Sequence, residues 1–204
     1  MRILLVQDSQ DTIAKITKML NTKEIILDSC SFSQEVFDMC QLYEYNLIIL
    51  EQMLCTIPGD SLIEQLRAKN ITTPILVISR SADIDKKINA LRKGADDYMV
   101  EPFHDKEFLA RIKAVVRRSN GYAHNKMKSG DLEIDLSEQK VYFDGNMVSL
   151  TKKEYMILEF LFLKKGSTLN KDRFLNHLYS GSDEPEAKII DVFICKLRKK
   201  TRRS

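Results

Sequence analysis

The 204-residue chain lacks the patterns that mark several classes of protein. It has no run of about 18 uncharged apolar residues, so no membrane-spanning helix is expected. The apolar stretch at its N-terminus is too short for a signal peptide, and we expect a cytoplasmic protein with no membrane partner. Internal repeats and low-complexity tracts are also missing from the sequence.

Cysteine is scarce, and the four residues are scattered at Cys30, Cys40, Cys55 and Cys195. Without a C-x-x-C pair or a Cys/His cluster, we expect reduced thiols and no disulfide framework or zinc site. The three histidines lie far apart, with no H-E-x-x-H motif or nucleophile elbow. A G-x-x-x-x-G-K-S/T loop is missing too. These absences argue against an enzyme.

Charge is distributed unevenly along the chain. Residues 1–120 carry 16 basic and 17 acidic side chains, net −1, whereas residues 121–204 carry 16 and 12, net +4. Segment 188–204 alone has seven basic residues and one acid. A positive excess confined to one part of a chain predicts nucleic-acid binding there.

The first 119 residues alternate short apolar runs with amphipathic segments. Ile3–Val6, Leu47–Leu50 and Pro74–Ser79 are typical of buried parallel strands, and shorter runs follow at 25–27 and 98–100. Five strand–helix units predict a doubly wound α/β domain, with Leu47–Leu50 as its central strand. Functional residues of such folds lie at the carboxyl ends of the strands. Those ends carry Gln7, Asp8, Glu51, Ser79 and Glu101.

The pattern changes after a stretch without apolar period, 120–129, which we interpret as a linker. Short strands with a tight turn at Asp144-Gly145-Asn146 come next. Thr151 and Glu154 have the spacing of a capping box. The helix they start should turn four side chains inward: Tyr155, Leu158, Leu161 and Phe162. A further helix begins at Asn170 or Lys171. A small sheet followed by three helices is the winged-helix order.

The last helix combines an apolar and a basic face. Ile190, Phe193, Ile194 and Leu197 fall at i, i+3, i+4 and i+7. Candidate DNA-binding residues on or beside the other face are Lys188, Val192, Cys195, Lys196, Arg198, Lys199 and Arg203. Such a helix suits the major groove of DNA. A solvated amphipathic helix with a basic C-terminus explains this stretch equally well.

Several motifs together resemble the OmpR/PhoB class of bacterial two-component response regulators. Gly94-Ala95-Asp96-Asp97-Tyr98-Met99 with Pro102-Phe103 matches the end of that family's receiver domain, and Leu150–Tyr155 matches the first helix start of its effector domain. Segments 174–179 and 183–200 are similar to alphaproteobacterial cell-cycle regulators. The resemblance implies a receiver domain (1–119), a linker (120–129) and a winged-helix DNA-binding domain (130–204). It also implies promoter DNA and RNA polymerase as partners.

The family's phosphorylation site is where this sequence departs. Family receivers phosphorylate an Asp after the third strand, hold Mg²⁺ with two acids after the first strand, and bind phosphoryl oxygens with a hydroxyl and a lysine. Here Glu51 replaces the acceptor, Gln7 one of the two acids, and Glu101 the lysine. The positions that keep the family pattern are Asp8, Ser79 and Tyr98, the last as the switch aromatic.

We therefore expect a receiver that is not phosphorylated and that requires no cofactor, with Asp8 left as a weak Mg²⁺ ligand. Glu51 is one methylene longer than Asp and ends roughly where a phosphoryl oxygen would lie. It is interpreted as a mimic of the phosphorylated form, with drift after loss of phosphorylation as the alternative. Glu51 and Glu101 would crowd one pocket, which raises a pKa or retains a cation.

In the family, the face made by the fourth helix, fifth strand and fifth helix pairs two receivers through ions. The matching positions are Lys87 with Glu107, Asp97 with Arg118, and Asp96 or Asp97 with Arg111. Their signs are complementary, so pairing with a second copy or a related regulator is expected, although each exposed pair contributes at most about 1 kcal/mol. Solvated surface charges are the competing interpretation.

Family members continue past the recognition helix into a β-hairpin wing, whereas this sequence stops at Ser204. We expect a winged-helix domain without its wing, either truncated or with the tail 201–204 in its place, and weakened DNA binding. The predicted function is a dimeric DNA-binding transcriptional regulator that acts without phosphorylation. The alternatives are an antagonist that pairs with a full-length relative while binding little DNA, and residual phosphotransfer.

Overall fold

The computed structural model describes residues 1–20, 25–136, 138–179 and 185–201. The chain divides into two compact units, Met1–Ser119 and Asn120–Ser204, each with its own hydrophobic core. Within the described ranges, no helix combines the length and apolar character needed to cross a membrane.

The first unit is a parallel five-stranded sheet in the order β2-β1-β3-β4-β5, so the predicted central strand is confirmed. Its strands are β1 Arg2–Val6, β2 Ile26–Cys30, β3 Leu47–Glu51, β4 Ile75–Ser79 and β5 Asp97–Val100. Its helices are α1 Gln10–Leu20, α2 Ser33–Leu42, α3 Gly59–Ala68, α4 Ile84–Arg92 and α5 Asp105–Ser119. The predicted doubly wound α/β domain is therefore confirmed.

Both faces of this sheet are covered, which explains the continuous apolar runs within β1, β3 and β4. Leu4 and Val6 pack towards α2, α3 and α4, whereas Ile3 and Leu5 pack towards α1 and α5. Alternate strand residues point to opposite faces, so a strand with helices on both sides needs a continuous apolar run. Every residue of β1, β3 and β4 is buried.

The start of α3 passes very close to the end of β3. The backbone N–H of Gly59 donates to the Gln52 carbonyl oxygen at 2.9 Å. A Cβ on Gly59 would lie 2.8 Å from the Glu51 carbonyl oxygen and 3.0 Å from that of Gln52. Both atoms belong to rigid backbone, so only glycine permits this approach.

The described residues of the second unit form an antiparallel sheet, β6-β7-β8-β9, and three helices. Its strands are β6 Lys126–Ser129, β7 Leu132–Asp135, β8 Lys140–Phe143 and β9 Asn146–Val148. Its helices are α6 Lys152–Leu163, α7 Lys171–Leu178 and α8 Lys188–Lys200. Asp144 (φ 49°) and Gly145 (φ 75°) form the predicted tight turn between β8 and β9.

Two sequence predictions for this unit are wrong in detail. Lys126–Ser129, assigned to the linker, forms an edge strand that buries only Met127 and therefore shows no apolar period. Leu161, expected to face inward, is 36% exposed, while Ile157 and Phe160 are buried. Apolar residues surround α6 on most sides, so periodicity could not select its inner face.

Replacing Gly59 by alanine should destabilise the first unit. We expect Gly59→Ala to lower the free energy of unfolding by about 1–3 kcal/mol, because the new methyl group overlaps two carbonyl oxygens. Chemical denaturation measures the loss. Ser61→Ala, in the same turn of α3, is the control and should change stability by less than about 0.5 kcal/mol. Equal stabilities of the two variants would contradict the close contact.

Candidate functional site

Two residues of the receiver pocket, Gln7 and Glu51, are joined directly. Gln7 follows β1 and Glu51 ends β3, and these strands are neighbours in the sheet. Gln7 Nε2 donates to Glu51 Oε2 at 3.0 Å, and both residues are almost wholly buried, at 0% and 2% exposure. Gln7 Oε1 accepts from the backbone N–H groups of Asp8 (2.9 Å) and Ser9 (3.0 Å). The Gln7 amide thus donates to a carboxylate and accepts from two backbone N–H groups.

Glu51 is shifted towards its neutral form. Burial raises the pKa of its carboxyl group above the ordinary value, and the hydrogen bonds from Gln7 and the Met53 backbone oppose the shift without cancelling it. Repulsion from Glu101 is the smallest contribution. Glu101 lies instead 3.5 Å from Lys15 Nζ on α1. The expected crowding of the two acids is therefore minor.

Asp8 is bound by the loop between β3 and α3. Its Oδ2 accepts from the backbone N–H of Cys55 at 2.6 Å. Hydrogen bonds from the Cys55 thiol and backbone hold the pKa of Asp8 below its ordinary value. The carboxylate expected as the remaining metal ligand thus already has protein donors.

Ser79 and Tyr98 do not contact Glu51 through hydrogen bonds. Ser79 Oγ accepts from the Ser81 backbone N–H at 3.1 Å. Tyr98 is 3% exposed, and its hydroxyl has no hydrogen-bond partner within the described residues. The predicted pocket residues lie at the carboxyl ends of the strands, and within the described part of the chain only Gln7 and Glu51 among them are joined by a side-chain hydrogen bond.

Sequence reasoning missed a second polar connection beside Glu51. Gln52 is buried, and its Nε2 donates to Asp60 Oδ1 at 2.6 Å. The other Asp60 oxygen accepts a hydrogen bond from Asn89 Nδ2. This connection joins the end of β3 through α3 to α4. No local pattern signals it, because the three residues come from three separate elements.

The predicted ion-pairing face is partly occupied by pairs within the chain. Arg111 binds Asp97 Oδ2 at 3.0 Å and Glu107 Oε1 at 2.9 Å. Asp96 pairs with Arg67 at 3.1 Å and also accepts from the Ile75 backbone, so Asp97 and not Asp96 is the acid on Arg111. The remaining cations of the predicted set are Lys87 and Arg118, which form no ion pair with described residues of the chain.

An exposed apolar row on α4, formed by Ile84, Ile88 and Leu91, adjoins those charges. The three side chains are 62%, 39% and 39% exposed. Their i, i+4, i+7 spacing places them on one face, while Ala90 alone is buried from this helix. The spacing is visible in the sequence, but only the structure shows that this face points to solvent.

Helix α8 has the predicted amphipathic arrangement. Ile190 and Leu197 are buried, and Phe193 and Ile194 pack against the core of the second unit. The exposed candidates for DNA binding are Lys188, Val192, Cys195, Lys196, Arg198 and Lys199. Arg203 and the acidic helix start 183–184 lie outside the described residues. The helix therefore presents a basic surface, with an apolar Val192 side chain 45% exposed.

The chain matches two family models in the order that the fold displays. Residues 3–113 match the response regulator receiver domain, and residues 145–204 match the C-terminal domain of transcriptional regulatory proteins. The chain belongs to the OmpR/PhoB-type response regulators, in which a receiver domain is joined to a DNA-binding domain. The family prediction is thus confirmed.

Within that class, the chain is similar to cell-cycle regulators named CtrA. It is 48% identical to the cell cycle transcriptional regulator CtrA of Caulobacter vibrioides over 98% of this chain and 87% of the relative. Identity to the cell cycle response regulator CtrA of Brucella anthropi is 46%, over 98% and 86%. The fold resembles DrrB of Thermotoga maritima, an OmpR/PhoB homologue, with a TM-score of 0.51 at 22% identity over 100% and 90%.

The raised pKa of Glu51 predicts that removing the charge of this side chain increases thermal stability in a pH-dependent way. Above that pKa the charged carboxylate costs the folded state stability, and the cost disappears as the pH falls through the raised value. Glu51→Gln keeps an oxygen that can accept from Gln7. At neutral pH we expect its Tm to exceed the parent's by roughly 3 °C.

This difference should shrink as the pH falls towards 4.5, the ordinary glutamate value. Thermal unfolding across that range measures it. The control is Glu64→Gln, whose carboxylate is 68% exposed and whose loss should change the Tm little. A difference for Glu51→Gln that stayed constant with pH would rule out the costly buried charge.

Proposed function

We propose that the chain is a cell-cycle transcriptional regulator of the CtrA type that binds DNA as a receiver-paired dimer and needs no phosphoryl group. The observation that carries the proposal is the buried hydrogen bond between Gln7 and Glu51. Glu51, at the family's phospho-acceptor position, and Gln7, at one of its metal-ligand positions, are hydrogen-bonded to each other. The cell-cycle role is transferred from the two CtrA relatives.

The pocket is poorly suited to aspartyl-type phosphotransfer. A carboxylate must attack phosphorus, and cations must neutralise the phosphoryl charge. Glu51 is buried, its carboxyl group accepts a hydrogen bond from Gln7, and burial raises the pKa of that group. Glu101 places a negative charge where the family has a lysine. These features support a receiver that is not phosphorylated.

The donor set also fits Mg²⁺ poorly, because this ion requires an octahedral set of oxygens. Gln7 turns its N–H towards Glu51 and its carbonyl oxygen towards two backbone N–H groups. Asp8 is held by Cys55. Across the described ranges, no three His, Cys, Asp or Glu side chains are grouped to hold a metal. We propose that the regulator works without a cofactor.

Contacts that need no phosphoryl group connect the pocket to α4. Gln52, Asp60 and Asn89 link the end of β3 to that helix, and Tyr98 is already buried. This arrangement supports a receiver fixed in one state, whether Glu51 mimics the phosphorylated form or replaced Asp by drift. A fixed α4 presents its apolar row permanently.

The α4 apolar row and its flanking charges support pairing of two receivers. Burying an exposed Ile or Leu side chain contributes about 1.5–3 kcal/mol, whereas an exposed ion pair contributes at most about 1 kcal/mol. The apolar row would therefore supply most of the affinity. Lys87, Arg118 and the Arg111 cluster would set the register. Contact with RNA polymerase stays a prediction from the family resemblance.

Phosphodonor treatment should leave the protein unlabelled and its DNA affinity unchanged. The measurement is incubation with Mg²⁺ and a small-molecule phosphodonor, followed by intact-mass analysis and a gel shift with A/T-rich promoter DNA. Glu51→Asp combined with Gln7→Asp and Glu101→Lys restores the family pattern and serves as the positive control. Labelling of the parent protein would overturn phosphorylation independence. Pairing with a full-length CtrA without salt-dependent DNA binding would instead establish the antagonist function.

Charging the α4 apolar row should abolish receiver pairing. We expect Ile88→Glu to weaken self-association at least about tenfold, because pairing would bury an unpaired carboxylate. Sedimentation velocity over a concentration series measures the dimer fraction. Leu42→Glu alters another exposed apolar side chain, 69% exposed on α2, and should leave pairing intact. A monomeric parent, or equal effects of the two variants, would count against this face.

A further inference from the structure

The last residue of α8 is bound to a buried carboxylate at the start of α6. Lys200 Nζ lies 2.7 Å from Oε2 of Glu154 and 3.0 Å from the carbonyl oxygen of Ser149. Glu154 is only 2% exposed, whereas the Lys200 side chain keeps 35% of its surface. The partners are 46 residues apart in the sequence, so the contact fixes one element against another.

Glu154 itself is held rigidly by the capping box. Its Oε2 also accepts from the Thr151 backbone N–H at 2.7 Å, while Thr151 Oγ1 accepts from the Glu154 backbone N–H at 3.4 Å. Burial acts to raise the pKa of Glu154, but the hydrogen bonds from Lys200 and Thr151 outweigh it and the pKa lies below its ordinary value. A carboxylate fixed and charged in this way is a stable anchor.

Lys200 differs in this respect from its neighbours on α8. Arg198 and Lys199 are exposed and form no ion pair with described residues. At the opposite end of the helix, Asp191 pairs with Lys171 of α7 at 2.6 Å, but both side chains are about half exposed. Loss of an exposed pair costs little, whereas removing Lys200 would leave the buried Glu154 carboxylate without its cation, which is costly. Among the described residues, the Lys200 contact is therefore a firmer polar attachment of α8 than the Asp191 pair.

We infer that Lys200 is a positioning residue for DNA recognition: through Glu154 it sets the orientation of α8, and it does not itself bind phosphate. The inference rests on the proposed DNA-reading role of α8. The Lys200 contact near the C-terminal end restrains rotation of the helix about its axis, in addition to the packing of its apolar face against the core. Lys188, Val192 and Lys196 then meet the groove together.

A positioning role and direct DNA contact by Lys200 give different results in a salt titration of DNA binding. A lysine that neutralises a phosphate lowers the salt slope of log K by about 0.9 when it is removed, whereas a positioning lysine changes the affinity alone. Substitution of Glu154 gives a second test, because the two interpretations predict opposite changes in DNA affinity. Simple electrostatics predicts that removing this acid strengthens binding to a polyanion. Loss of the anchor predicts weaker binding, because a smaller fraction of molecules presents α8 correctly.

The test uses the full chain, titrated with A/T-rich promoter duplex at several salt concentrations. Lys200→Met and Glu154→Gln should each weaken binding about tenfold with the parental salt slope. Lys200→Arg keeps a cation that reaches the carboxylate and should restore parental affinity. Lys199→Met is the matched control on the neighbouring residue, and it should reduce the slope by about 0.9.

A reduced slope for Lys200→Met, or tighter binding by Glu154→Gln, would overturn the inference. Amide hydrogen exchange without DNA separates it from the proposed function: exchange over 197–200 should accelerate in Lys200→Met and stay parental in Lys199→Met. If the parent gave no salt-dependent DNA shift, the proposed function would fail and exchange alone would decide whether the anchor exists. Unchanged exchange in Lys200→Met would refute it. Should Glu154→Gln unfold, the two Lys200 variants still decide the outcome.

Discussion

A carboxylate buried in a protein needs a partner, and at the centre of the first unit the partner of Glu51 is an amide. An unpaired buried charge is costly enough that the group would neutralise or the site would open. Gln7 meets this need with a donor for Glu51 and an acceptor for two backbone N–H groups. A second acid at position 7 would require a cation. Gln7 and Glu51 therefore satisfy each other, and their hydrogen bond connects the ends of β1 and β3.

The second unit contains a buried carboxylate with a different partner. Glu154 is paired with the ammonium group of Lys200, so its pKa is lowered, whereas Glu51 is paired with neutral Gln7 and its pKa is raised. Burial acts in the same direction on both acids, and the partner decides the outcome. One carboxylate is thus kept as a charged anchor for a helix, and the other is driven towards neutrality inside a sheet.

Features that depend on neighbouring residues were readable from the sequence, and features that depend on the fold were not. The capping box of Thr151 and Glu154 and the turn at Asp144-Gly145 are local, and both are confirmed. The buried strands could be predicted because helices cover both faces of the sheet, and such strands need a continuous apolar run. Strand β6 was missed because it buries a single residue, and Leu161 was wrongly placed on the inner face of α6 because apolar residues lie on most sides of that helix.

The candidate site divides in the same way. The positions of Gln7, Glu51 and Glu101 at strand ends follow from the α/β pattern. The link from Gln52 to Asn89 and the contact between Glu154 and Lys200 join distant parts of the chain, so no local pattern reveals them. The predicted ion pairs of Lys87 with Glu107 and of Arg118 with Asp97 would join two subunits, and a single sequence does not place the second subunit.

The hydrogen bond between Gln7 and Glu51 also makes substitutions at these two positions depend on each other. Aspartate at position 51 alone would shorten the side chain by one methylene. The buried Gln7 amide would then lose its hydrogen-bond acceptor, at a cost of about 1–3 kcal/mol. Restoring an acid at position 7 alone would set two carboxylates against each other. Each single substitution should therefore give a less stable protein, so the residues at positions 7 and 51 are coupled in their effect on stability.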